Sequence, residues 1–87
     1  MHPLLASARS GEKRLSEMRP GEKGKITKVV GDRSLLSRLT AMGIVRGERI
    51  NVVRNAPLKD PVEFLLKGYH LSLRKDEAEG VYVEVEV

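Results

Sequence analysis

The sequence predicts a mainly β fold, a small barrel of about five strands with one short helix that covers one end of the barrel. Three observations predict it. Five short runs are rich in β-branched and aromatic residues, tight-turn signals separate these runs, and a single stretch has apolar residues at helical spacing. A chain of 87 residues could not cover the edges of a flat sheet of that size, so a closed barrel is favoured.

The helix is predicted over residues 35–42, where Leu35, Leu39 and Met42 recur at helical spacing. Asp32 or Ser34 can provide its N-cap side chain. A helix of about two to three turns depends on tertiary packing for its stability, so we expect its apolar face to lie on the strands. The strand residues expected beneath it are Ile26, Ile50, Val52 and Phe64.

Gly43 is predicted to end this helix in the left-handed conformation. Counting back from Gly43 makes Leu39 the third residue from the helix end and Ile44 the next apolar residue out. Those two positions contact each other in a Schellman ending. Leu39, Met42 and Gly43 are therefore predicted structural residues. Gly47 and Gly68, the glycines of two later turns, are also predicted structural residues.

Two strands are predicted next to the helix, over residues 24–30 and 49–56. The alternation of the first is imperfect, because Val29 takes the parity opposite to that of Ile26 and Val30. A bulge, or a strand covered on both faces, would be required to bury all three residues.

Three more strands are predicted over residues 62–67, 69–74 and 81–87. The first two form a hairpin around Lys67-Gly68, and the alternation places Tyr69 on the core side. One short helical turn precedes the last strand, which has valines on one face and glutamates on the other. That strand could have an unpaired edge that pairs with a second copy, although closure of the barrel would satisfy it. Strands this short and closely spaced favour an SH3-like barrel.

Residues 1–14 mix Pro, Ser, Gly and charged residues without any period, and are predicted to form a flexible N-terminal tail. The folded domain is expected to span residues 15–87. Without cysteine the chain can form no disulfide and no thiolate site, and no apolar run is long enough for a membrane span.

The charge of the chain is uneven. Residues 1–49 carry 11 Lys or Arg against 5 acidic residues, and residues 50–87 carry 5 against 7. A basic surface suits nucleic acid, anionic lipid or an acidic protein. Few aromatic residues are present for base stacking, so nucleic-acid binding is the less favoured interpretation. The arginines that could still line a phosphate-binding face are Arg33, Arg38, Arg46 and Arg49.

No motif of an enzyme is present, since the chain has neither a phosphate-binding glycine loop nor a dinucleotide fingerprint, and the serines and histidines show no triad pattern. His70 could bind iron or zinc together with Glu84 or Glu86 if their strands pair. One exposed histidine does not make a tight site. We therefore assign no catalytic residue and no metal ligand.

Several sequence blocks occur in a fixed order along residues 15–87. They are Leu39-Thr40-Ala41-Met42-Gly43-Ile44, then Gly47, Ala56-Pro57-Leu58 with Asp60-Pro61, Gly68-Tyr69, and Leu71-Ser72-Leu73-Arg74. Each block alone is unspecific, but the ordered set resembles the ferrous iron transport protein A (FeoA) family. The first 14 residues lie outside this resemblance.

The resemblance implies an SH3-like barrel and a small cytoplasmic accessory protein, not an enzyme, that docks on the ferrous iron permease FeoB and supports transport. This permease carries a GTP-binding domain, and docking on it would bring the accessory protein to the inner face of the membrane. We expect no cofactor and at most weak binding of a transition metal. The alternative is a nucleic-acid-binding or repressor-type regulatory domain, because related barrels occur in iron-dependent repressors. We expect no helix-turn-helix domain ahead of the barrel, which makes a free-standing repressor the less favoured interpretation.

The predicted partner-binding residues are Val45, Arg46, Arg49, Pro57 and Leu58. Pro57 stiffens a loop that carries the apolar Leu58, and the arginines could form a basic rim beside it if the fold brings them together. An apolar anchor with a charged rim is the usual composition of a small protein interface. The other interpretation is that Leu58 folds back over the barrel and is part of the core.

Overall fold

The computed structural model of the protein describes residues 11–55, 58 and 60–86. Six strands form one antiparallel sheet with the order β1-β6-β2-β3-β4-β5. The elements are β1 (Glu12–Arg14), a 3₁₀ turn (Leu15–Glu17), β2 (Lys23–Val29), α1 (Arg33–Ala41), β3 (Arg49–Asn55), β4 (Val62–Leu66), β5 (Tyr69–Leu73), α2 (Lys75–Ala78) and β6 (Val81–Val85). Neither helix is both long and apolar enough to cross a membrane.

The mainly β class with a capping helix is confirmed, and all five predicted strands are present. The closed barrel expected from the sequence does not form among the described strands, because the sheet has a sixth strand, β1, and its order is open, with β1 and β5 at the two edges. One apolar core joins α1 to the sheet. Leu39 of α1 is fully buried in the same cluster as the four strand residues expected beneath the helix, which are Ile26, Ile50, Val52 and Phe64.

The sheet begins before residue 15, the predicted start of the domain. Glu12–Arg14 pairs with β6, and the Val85 backbone N–H donates to the Gly11 carbonyl oxygen at 2.8 Å. The last three residues of the predicted tail therefore belong to the fold. They were missed because a run of three charged residues has no hydrophobic pattern, while residues 1–10 lie outside the described residues.

An ion pair ties β1 to the turn before β2. Lys13 Nζ lies 3.0 Å from Glu22 Oε2. The Arg19 backbone N–H donates to Glu22 Oε1 and, together with the Lys13 ammonium, holds the pKa of the Glu22 carboxyl below its usual range. The short, charged edge strand β1 is thus held by an ion pair in place of an apolar contact.

A bulge in β2 resolves the imperfect alternation of this strand. The register between β2 and β6 shifts between Ile26 and Lys28. Ile26 is fully buried, Val29 is half-buried and Val30 is exposed. Of the two arrangements proposed to bury all three apolar residues, the bulge occurs, but it leaves Val30 outside the core.

Both ends of α1 follow the predicted capping chemistry. Asp32 is the N-cap, and its carboxylate accepts the Leu35 backbone N–H at 2.8 Å. At the other end, the N–H groups of Gly43 and Ile44 donate to the carbonyl oxygens of Thr40 and Leu39, both at 2.9 Å. This pair of bonds defines the Schellman motif. The ending that the glycine predicted is therefore confirmed.

Gly43→Val is expected to lower the free energy of unfolding by about 1–2 kcal/mol, because Gly43 has a φ of +92° that a β-branched residue adopts only with strain. A Cβ there would also lie 3.1 Å from Leu66 Cδ2. Urea unfolding followed by circular dichroism measures the loss. Gly43→Asn is the control and should lose less, since Asn tolerates this conformation. Equal losses would show that contact with Leu66, and not φ, sets the cost.

One prediction about the strands is wrong. Tyr69 was expected in the core, yet it is 70% exposed, because β5 is an edge strand and no further strand covers that side within the described part of the sheet. The sequence left open whether the last strand has an unpaired edge. In the structure β6 pairs with β1 on one side and β2 on the other, so the edges of the sheet belong to β1 and β5.

Candidate partner-binding groove

An apolar groove of about 570 Å³ lies between α1 and β2. Val29 from the strand, Leu36 from the helix and Val45 after the helix are half-buried along it, and Ile44 closes its floor at 1% exposure. The complete lining is Thr27, Lys28, Val29, Leu36, Thr40, Ile44, Val45 and Arg46. We call this feature the α1–β2 groove.

The Schellman ending of α1 positions one wall of the groove. After the chain reverses at Gly43, Ile44 enters the core and Val45 follows at the groove surface. The next turn is closed by the Glu48 N–H, which donates to the Val45 carbonyl oxygen at 3.2 Å, and Gly47 in its third position has a φ of +94°. Val45 is thus held by a tight turn.

Backbone hydrogen bonds fix that turn to β2. The Gly47 N–H donates to the Ile26 carbonyl oxygen, and the Ile26 N–H donates to the Glu48 carbonyl oxygen, both at 2.8 Å. The two walls of the groove are therefore connected through main-chain bonds. Such a groove is preformed, which lowers the entropy cost of binding.

The rim of the groove is basic. Lys28 and Arg46 are both exposed, and none of the described residues that line the groove is acidic. Lys28 Nζ lies 4.6 Å from the centroid of the Tyr82 ring, so its ammonium contacts an aromatic face, and it has no carboxylate partner among the described residues. Arg46 has no ion-pair partner within the described residues. The groove therefore suits a partner with an apolar side chain flanked by acidic residues.

Of the four predicted partner-binding residues that the structure describes, it brings together two, Val45 and Arg46. Arg49, at the start of β3, forms an ion pair with Glu86 and does not line the groove. Leu58 follows the opposite end of β3 and does not line the groove. Pro57 lies outside the described residues.

Leu58 is not part of the core. It is 91% exposed and has a φ of +67°, which is unusual for a leucine. The interpretation that it folds back over the barrel is therefore wrong. An exposed leucine on this loop remains available as a separate apolar contact point.

Sequence reasoning missed the other groove residues, although signals for two of them are present. Val29 takes the parity opposite to that of its buried neighbours, and Leu36 lies beside the buried stripe of the helix. Each residue departs from the hydrophobic pattern of its element. Only the packing of α1 against β2 shows that both side chains face the same groove.

The structure separates the residues considered for a metal site. His70 Nε2 lies 3.0 Å from Glu63 Oε1 on β4. β5 and β6 are not neighbours in the sheet, so His70 does not lie beside Glu84 or Glu86. No cluster of three or more His, Asp or Glu side chains in the described ranges could hold a metal ion.

Two of the four arginines considered for a phosphate-binding face are neutralised by carboxylates. Arg38 pairs with Glu77, and Arg49 pairs with Glu86. These ion pairs reduce the positive potential around α1 that nucleic acid would require.

The sequence of the chain is similar to those of known proteins. The family model for the FeoA domain matches residues 13–85. The Fe(2+) transport protein A/Fe(2+) transporter FeoB fusion protein of Porphyromonas gingivalis is 40% identical over 72 residues, which cover 83% of this chain and 8% of the fusion protein. The chain thus corresponds to a small part of that relative.

Solved structures show the same fold. The FeoA protein of Chlorobium tepidum has a TM-score of 0.79 and 37% identity, over 86% of this chain and 71% of that chain. The FeoA of Stenotrophomonas maltophilia, solved in complex with zinc and described as a prokaryotic SH3 domain protein, has a TM-score of 0.68 and 24% identity, over 83% and 93% of the two chains. The predicted SH3-like fold is confirmed, and the chain belongs to the FeoA domain family.

Proposed function

We propose that this protein is a cytoplasmic accessory of ferrous iron transport that docks on an FeoB-type permease through the α1–β2 groove. The FeoA family consists of transport accessory domains and is not a known enzyme family. The proposed role is accordingly one of binding and regulation, in which the chain changes the activity or assembly of its partner and does no chemistry itself.

The observation that carries the proposal is the fusion protein of P. gingivalis, in which a segment similar to this chain and the transporter FeoB form one polypeptide. Fusion keeps two domains at high effective concentration, which favours a contact that is weak between separate chains. The contact itself still requires affinity between the two domains. The groove is the surface best suited to provide it.

The chemistry of the groove supports this choice. Burying a partner side chain against Val29, Leu36 and Val45 would provide the hydrophobic contribution. Lys28 and Arg46 would orient acidic residues of the partner and increase the rate of association. Because the rim charges are exposed, their effect should weaken as salt is added.

The direct test is an amide NMR titration with the GTP-binding domain of the FeoB-type permease from the same source, at physiological salt. We expect shifts clustered at Val29, Leu36 and Val45. A cluster at Leu58 alone would move the docking surface to the loop after β3. If no amide signal shifts and the protein binds duplex DNA in a salt-dependent way, the nucleic-acid alternative would replace the proposal.

Val45→Glu is expected to weaken binding to this domain by about tenfold or more, because it introduces a carboxylate into an apolar wall that faces an acidic partner. Titration calorimetry measures the loss of affinity. Val45 is only half-buried, so the fold should persist. Val53→Glu is the matched control, since Val53 is 36% exposed and does not line the groove. Equal affinity of both variants would exclude the groove as the docking surface.

Leu58→Glu tests whether the loop after β3 or the α1–β2 groove is the main docking surface. Because Leu58 is 91% exposed, this variant should keep the stability of the parent protein. It should also keep most of its affinity if the groove is the main contact. A loss larger than that of Val45→Glu would show that the loop is the principal docking element.

A further inference from the structure

Strand β5 has one edge that is free of main-chain partners in the described structure. β5 is the last strand of the sheet and pairs only with β4. The turn Lys67-Gly68 has positive φ at both residues, +52° and +82°, which is typical of a two-residue type I′ hairpin. A hairpin of this type fixes which backbone groups point outward.

The residues next to a two-residue turn form a hydrogen-bonded pair, and such pairs alternate along the ladder. Leu66 pairs with Tyr69, so Tyr69, Leu71 and Leu73 direct their N–H and C=O groups at β4. His70 and Ser72 direct theirs away from the sheet. The free edge therefore presents two donors and two acceptors on alternate residues, which is the pattern that an added strand requires.

The two edges of the sheet differ in their protection. β1 has three residues, all of them charged, as is usual for an edge that must not pair with other chains. β5 has five residues, and none of them is Pro, Lys, Arg, Asp or Glu. Tyr69 is 70% exposed, and Leu71 is only half-buried. The β5 edge thus lacks the protection that β1 has.

A polar cavity of about 680 Å³ lies where β5 ends, and Ser72 and Arg74 contribute to its lining. Most of its charged groups already have partners. Arg38 pairs with Glu77, and Asp60 Oδ1 accepts the Lys75 backbone N–H at 3.0 Å. The guanidinium of Arg74 has no carboxylate partner among the described residues.

We propose that β5 binds an extended segment of another protein by strand addition, with a carboxylate of that segment on Arg74. The segment would bond to His70 and Ser72 through its main chain and cover Tyr69 with an apolar side chain. This surface is distinct from the α1–β2 groove, so the two sites could be occupied at the same time. The proposal does not depend on docking to the permease.

Charge disfavours a second copy of this chain as the occupant. In the antiparallel register that joins His70 of one copy to Ser72 of the other, the turn that carries Lys67 of one copy lies at the same end of the pairing as Lys75 of the other, and this occurs at both ends of the dimer. Arg74 would face Gly68 and gain no carboxylate. Like charges opposite each other destabilise a pairing, whereas an acidic segment of another protein would satisfy Arg74.

The test uses an acetylated, amidated hexapeptide of alternating Val and Thr with Glu at the end that meets Arg74 in antiparallel pairing. We expect amide NMR shifts at His70 and Ser72, and protection of both amides from hydrogen exchange. A peptide with N-methyl groups on the amides that face β5 should not bind. Shifts that persist with the N-methylated peptide would overturn strand addition.

Variants test the two halves of the site. Arg74→Glu should weaken binding of the Glu peptide about tenfold and favour a peptide with Lys at the same position. Ser72→Pro removes an outward N–H, which an edge strand tolerates, and should abolish binding, while Ser72→Ala should not. Val45→Glu should leave binding of the peptide to β5 unchanged. A failure of strand addition can therefore be distinguished from a failure of permease docking at the α1–β2 groove.

Two further outcomes would overturn the proposal. No shift at the β5 amides at millimolar peptide would exclude strand addition. A concentration-dependent dimer in sedimentation experiments, with the β5 amides protected in the absence of peptide, would assign the edge to a second copy.

Discussion

Gly24→Ala is expected to destabilise the protein strongly. A Cβ on Gly24 would lie 2.1 Å from the Glu84 carbonyl oxygen and 2.8 Å from the carbonyl carbon, both in the backbone of β6. A side chain could rotate away, but a paired backbone cannot move without breaking the ladder between β2 and β6. We expect a loss of about 3 kcal/mol or more, a large part of the about 5–15 kcal/mol that stabilises a domain. Urea unfolding measures this loss.

Gly31→Ala is the matched control for that experiment. Its Cβ would meet the flexible Leu35 side chain, with Cδ2 at 2.9 Å, and no backbone atom of another strand. We expect a change of about 0.5 kcal/mol or less, because Ala also reduces the conformational entropy of the unfolded chain. If the two variants lost the same stability, close backbone approach at Gly24 would not be the cause.

Local chemistry explains which parts of the fold the sequence predicts well. The ending of α1 depends on residues within one turn of each other, so Leu39, Gly43 and Ile44 are enough to predict it. The hairpin at Lys67-Gly68 is likewise local. In both places the backbone conformation and the hydrophobic pattern favour the same structure.

Features that depend on distant residues were missed. β1 carries no hydrophobic signal, and its place in the sheet comes from pairing with a strand about 70 residues later in the chain. Gly24 looks like the boundary of a strand, whereas its role is to let β6 approach. Tyr69 has the correct parity for the core but lies at an edge, where parity does not ensure burial.

The residues of the candidate site were likewise predicted only in part. Val45 and Arg46 were predicted as part of a rim at the helix end beside Leu58, and the structure puts both in the groove. Arg49 and Leu58 were grouped with them by chemistry alone. β3 separates these two residues, because its N-terminal end carries Arg49 and its C-terminal end leads to Leu58. A sequence pattern cannot show which end of a strand faces a given groove.

Leu39→Ala and Leu36→Ala are expected to have opposite effects on stability and on docking. Leu39 is fully buried in the core and provides the apolar contact of the Schellman ending. Its truncation should cost about 3 kcal/mol, from lost hydrophobic transfer and from the cavity left behind. Leu36 is only half-buried in the groove, so its truncation should cost about 1 kcal/mol or less.

Affinity for the permease domain should follow the reverse order. Leu36→Ala removes a side chain that a partner would contact, whereas Leu39→Ala leaves the groove surface intact in molecules that remain folded. Urea unfolding gives the stability of each variant, and calorimetry well below the melting temperature gives the affinity of the folded fraction. A Leu36→Ala variant with full affinity would show that the groove is only the outer margin of the core. Weaker binding at nearly full stability would show that α1 has two functions, with one face holding the sheet together and the adjacent face binding the partner.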